Sequence, residues 1–125
     1  MAGALTISTL NDSSGVLATQ NGMTGIPKAW VNFNGSSAAI RSSFNCSSIT
    51  RTTTGSYTMN FTTALSSADF VITGTAGSGN VYGNYGFSNR GQGSNSTTTA
   101  TFNTYITHTT SLADCDLTTV AILGA

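Results

Sequence analysis

Few side chains in this 125-residue chain can do acid–base, nucleophilic or metal chemistry. His108 is the single histidine, and the acids are Asp12, Asp69, Asp114 and Asp116, with no glutamate. A Ser-His-Asp hydrolase needs its nucleophile on a strained, exposed turn beside the base. No G-x-S-x-G occurs, and His108 follows an alternating segment, where a solvent-facing or hydrogen-bonded ring is the plain expectation. A glycosidase needs two carboxylates about 5–10 Å apart. Asp114 and Asp116 are two residues apart, but they flank Cys115 in the turn-like "LADCD" and read as an exposed pair entering a strand, or else as a calcium corner. Structural zinc asks for four Cys or His ligands, which one histidine and two distant cysteines do not supply. The glycines match neither a dinucleotide fingerprint nor a P-loop. The expectation is therefore no catalytic residue, no metal, no cofactor and no enzyme.

Composition points the same way. The chain is 38% hydrophobic but only 6% charged, with a formal net charge of zero; an average soluble domain is about 25% charged. Serine and threonine make up roughly a third of it, beside 14 glycines. One tryptophan, four tyrosines and six phenylalanines set it apart from disordered chains. Lys28, Arg41, Arg51 and Arg90 lie too far apart to make the basic cluster that a phosphate backbone requires, so no nucleic-acid partner is expected. The best apolar run, "VAILGA", is far short of the ~20 residues of a membrane-spanning helix, so membrane insertion is not expected either. "MAGALTISTL" has no basic n-region and reads as no signal peptide. An uncharged, hydroxyl-coated surface lacks long-range self-repulsion and favours association.

The elements that carry these residues read as strands. Thr, Val, Ile, Phe and Tyr suit a pleated surface, and good helix formers are scarce. Residues 1–27 open with the alternating "ALTIST" and continue as an irregular, Asn- and Gly-rich segment to Pro27; they read as an N-terminal strand and extended arm. Residues 28–125 read as the domain proper. "KAWVNFNG" is its first strand. Residues 39–46 alternate with Ile40, Phe44 and Cys46 inward, "TRTTTG" turns the chain, and residues 56–62 alternate with Tyr57, Met59 and Phe61 inward. The two runs read as a hairpin. "ADFVIT", "TTTATFNTYITH" and "LTTVAILG" follow as further strands. The count of seven or eight short strands predicts an all-β fold, an antiparallel, jelly-roll-like β-sandwich. Cys46 and Cys115 are expected as free, buried thiols.

Two features point outward. In "KAWVNFNG", Ala29, Val31 and Phe33 share one face, which leaves Trp30 on the other with Lys28 and Asn32. The Gly-rich stretch 74–95 holds Tyr82, Asn84, Tyr85, Phe87, Asn89 and Arg90, which read either as a recognition loop or as one more core strand. In the second case Val81, Tyr85 and Phe87 turn inward, and Tyr82, Asn84, Asn89 and Arg90 are left for contact.

The stretches "KAWVNFNG", "AIRSSFNCSSIT" and "GSYTMNFTTAL", with "LTISTLNDSSG" before them and "VAILG" at the end, resemble a module of tailed-phage virion proteins. Small phage structural proteins and the C-terminal parts of phage tail fibres carry it. The resemblance covers most of the chain, apart from residues 74–95. Cys46 departs from the family's aliphatic residue and Pro27 from its Ala or Ser. The resemblance implies a non-enzymatic virion component made in the host cytoplasm, typically a β-rich homotrimer. It would act as a tail-fibre or fibre-tip module for host attachment, or alternatively as a capsid-decorating protein. Its partners would be its own copies, other virion proteins and a host cell-surface glycan or protein. Trp30, Lys28 and Asn32 would then lie at the subunit interface, with the alternative that Trp30 is covered by the arm of its own chain. Tyr82, Asn84, Tyr85, Asn89 and Arg90 would be the recognition surface.

Overall fold

A computed structural model describes residues 26–79, 84–90 and 94–124. The expected N-terminal strand and arm lie outside the described residues, apart from Ile26 and Pro27. The described chain forms β1 (Ala29–Asn34), β2 (Ala39–Phe44), β3 (Ser48–Thr53), β4 (Ser56–Asn60), β5 (Val71–Gly77), β6 (Tyr85–Asn89), β7 (Thr99–Ile106) and β8 (Leu117–Leu123). A front sheet of order β2-β1-β8-β5 faces a back sheet of order β3-β4-β7-β6. Every pairing is antiparallel. The expected all-β sandwich is what these strands make.

The inner strands carry the core because they have neighbours on both sides and bury alternate residues. From the front sheet come Ala29, Val31 and Phe33 of β1 with Val120 and Ile122 of β8; from the back sheet come Tyr57 and Met59 of β4 with Ala100 and Phe102 of β7. Phe33 meets Tyr57 edge-on at 5.1 Å between ring centroids and Phe102 at 6.0 Å, so one front-sheet ring is clasped by two from the back. Phe87 of β6 stacks on Phe102 at 5.3 Å. Each fully buried ring contributes about 2–3 kcal/mol.

The edge strands differ from the sequence expectation. Phe44 does not face inward: it is 54% exposed. Asn32 pairs with Ser42 but Phe33 pairs with Ile40, so Arg41 is an extra residue, a β-bulge. Beyond the bulge the facing of β2 is reversed, and Phe44 stands opposite Trp30 on the outer face. Asn45, at φ 50°, restores the inward direction for buried Cys46. Its side chain fixes that bend: Nδ2 donates to the carbonyls of Lys28 and Thr63, and Oδ1 accepts from the Thr63 amide.

The expected hairpin between residues 39–46 and 56–62 does not form either. The stretch read as a turn is β3, which pairs with β4, while β2 belongs to the other sheet. Only Ile49 of β3 is buried, so the strand has no alternation to read. β5 runs on through Gly74, where a Cβ would come 2.8 Å from the Phe87 ring; the missing side chain makes room for that ring. Both cysteines are buried and unpaired, and burial pushes their thiols up.

Candidate functional site

The front sheet's outer face is the most unusual surface. Phe44, Trp30, Ala121 and Thr73 form one cross-strand row over all four strands, and Val71 opposite Leu123 extends it at the same end. Trp30 is 38% exposed and Val71 59%. The small residues Ala121 and Thr119 of β8 make the floor of a trough. Trp30 and Asn32 form one wall, Thr73 and Thr75 the other. Its volume is about 470 Å³, and no titratable side chain lines it. A second hollow of about 410 Å³ lies beside Phe44, lined by Asn45, Thr62 and Thr63. A mostly apolar trough with threonine and amide groups binds by burial and shape; it offers no acid, base or nucleophile.

The three residues expected at a subunit interface are close together but not alike. Trp30 and Asn32 share the outer face. Asn32 is half-buried, and its Oδ1 accepts from Arg41 Nη1 at 3.5 Å. Lys28 precedes β1, where its amide donates to the Ile122 carbonyl at 2.7 Å, tying the chain's entry to β8.

Of the residues expected for recognition, Tyr82 lies outside the described residues. Tyr85 is half-buried and stands opposite Ile106, on the inward side with Phe87. Asn84 is half-buried, and its carbonyl accepts from the Thr107 amide. Asn89 and Arg90 are exposed at the end of β6. Arg90 crosses the outer face of the back sheet, where its Nη1 donates to Ser56 Oγ at 3.1 Å.

One cluster was missed from sequence. Asp114 is not an exposed carboxylate beside Asp116: its side chain is 17% exposed and holds three elements together. Arg51 of β3 donates through Nε and Nη2, the latter at 2.6 Å to Oδ2. The Gly55 amide and the Tyr57 hydroxyl both donate to Oδ1, at 2.8 and 2.7 Å. The Arg51 guanidinium, assisted by Gly55 and Tyr57 and opposed by burial, holds the Asp114 carboxyl down at about 2. Burial, and then Asp114 itself, pushes the Tyr57 phenol up. An ionised carboxylate with its oxygens filled by donors is a clasp between the β7–β8 loop and the β3–β4 hairpin, and has no proton to give near neutral pH. Asp116 instead accepts from Ser78 Oγ, so the two acids do not converge. Among the described residues no three His, Cys, Asp or Glu side chains group as metal ligands. No family model, no curated protein and no solved structure matches the chain.

Proposed function

We propose that this chain is a non-enzymatic structural subunit of a phage particle, a tail-fibre or fibre-tip module for host attachment that works as a homotrimer. The observation that supports this reading best is the uncharged aromatic row on the front sheet. Phe44 and Trp30 stand side by side in the open, with Val71 at the far edge. Among the described residues, the back sheet's strands expose no large hydrophobic side chain. Exposed apolar surface gathered on one face marks an interaction site. Three copies that turn their front sheets toward a shared threefold axis cover that row. The sequence resemblance to virion modules supplies the biological setting.

The test is the assembly state of the purified chain. The wild-type chain is expected to size as a trimer. Trp30→Ala removes about 2 kcal/mol of burial per copy, about thirtyfold in each contact, and should shift a micromolar sample toward monomer. Phe44→Ser should do the same. Both side chains lie outside the core, so each variant should keep the wild-type circular dichroism. A variant pair that remains trimeric would refute the front-sheet interface.

A further inference from the structure

We propose that the outer face of the back sheet, centred on Arg90 and Tyr105, binds a carboxylate-bearing polysaccharide. The inference deepens the attachment reading and rests on it in one respect: the front sheet is given to sister copies, so the opposite face is the one turned to the environment.

The face is built from neutral hydrogen-bonding groups. Thr50, Thr58 and Thr101 form one cross-strand row, and Ser56, Asn103 and Ser88 the next. Hydroxyls and amides both donate and accept, as sugar hydroxyls do.

Tyr105 supplies the stacking surface. A Cβ at Gly86 would collide with Cζ of the Tyr105 ring, so the ring lies against the bare glycine backbone across β6. Exposed Leu112 pairs with Tyr105 on its other side. A ring held flat on a sheet offers its face to the apolar face of a sugar ring, at low cost in side-chain freedom.

Charge selects the kind of sugar. Arg90 is the one charged side chain on this face among the described residues, since Arg51 turns to Asp114. The described acids are all directed elsewhere: the Asp69 carboxylate accepts from Ser67 Oγ, Asp114 pairs with Arg51 and Asp116 accepts from Ser78 Oγ. Ser56 orients the Arg90 guanidinium through Nη1, and a planar guanidinium matches a carboxylate better than any neutral group. One guanidinium among rows of hydroxyls and amides matches a chain that presents a carboxylate among many hydroxyls, so a carboxylated sugar chain fits better than nucleic acid, which is held by clusters of cations.

Affinity electrophoresis of the full chain through gels containing polygalacturonate, and in parallel dextran, tests this. Polygalacturonate should retard the wild type and dextran should not. Arg90→Gln should weaken the retardation at least about tenfold, and Arg90→Lys should restore only part of it. Tyr105→Ala should also weaken it. Absence of retardation, equal retardation by dextran, or an Arg90→Gln protein that binds like wild type would each overturn the proposal. Melting curves of the Arg90 variants guard against misfolding. Sizing of the same samples reports separately on the association reading.

Discussion

Replacing Asp114 by alanine is expected to cost about 3 kcal/mol of folding stability at neutral pH. The carboxylate receives Arg51, the Gly55 amide and the Tyr57 hydroxyl. Arg51 is 37% exposed on its side chain and can turn to water, so its loss is modest. Gly55 and Tyr57 are buried, and each would be left as an unsatisfied donor at about 1–3 kcal/mol. Asp114→Asn should cost less, about 2 kcal/mol, because the amide keeps one acceptor oxygen while losing the charge. Urea unfolding followed by tryptophan fluorescence and circular dichroism measures both. Losses below about 0.5 kcal/mol would show that Asp114 does not clasp the hairpin.

The same clasp sets an acid limit. The folded pKa of Asp114 lies at about 2, below the usual 3.8. A depressed carboxylate stabilises the fold above its unfolded pKa and stops doing so as pH falls through its folded pKa. The shift is worth up to about 2 kcal/mol, less once the water around Arg51 is allowed for. The stability gap between wild type and Asp114→Asn should therefore be full at pH 5 and above and narrow steadily from pH 4 to pH 2. A gap that stays constant over that window would mean that the carboxylate titrates normally in the fold.

What the sequence reveals divides along the sheets. The inner strands β1, β4 and β7 alternate as read, and β8 alternates although its end is apolar at every position, because each buries every second side chain between two neighbours. The edge strands do not. β2 hides a bulge at Arg41 that reverses its facing, β3 has only Ile49 inward, and β5 and β6 pass through glycines that the neighbouring rings require. An edge is half solvated and tolerates bulges, hydroxyls and glycine, so periodicity fades there. Phe44 illustrates the consequence: strict alternation puts it in the core, and one extra residue puts it beside Trp30. That displacement turns a lone exposed tryptophan, which sequence did indicate, into an aromatic row, which it did not. Asp114 was illegible for another reason. Its partners Arg51 and Tyr57 are 63 and 57 residues away, and no local pattern encodes a contact that exists only once the β7–β8 loop folds over the β3–β4 turn.

That turn is where a single methyl group should do the most damage. Gly55→Ala is expected to destabilise the fold by about 4 kcal/mol. Gly55 has φ +65°, a left-handed conformation that costs an alanine about 1–2 kcal/mol. The Cβ would also have no room. It would collide with the Thr104 carbonyl and stand 2.5 Å from the Ala113 nitrogen and 2.9 Å from its carbonyl. These are backbone atoms, fixed by the bonds Thr104 N to Gly55 O and Ala113 N to Thr104 O, so they cannot swing aside as a side chain would. Relief requires the β3–β4 turn to lift away from β7 and the β7–β8 loop, which lengthens the Gly55 amide bond to Asp114. Strain and overpacking thus add to partial loss of the clasp. Because both substitutions act on one contact, the Gly55→Ala, Asp114→Asn double variant should lose less than the sum of the singles, by about 1 kcal/mol. Strictly additive losses would separate the turn from the clasp.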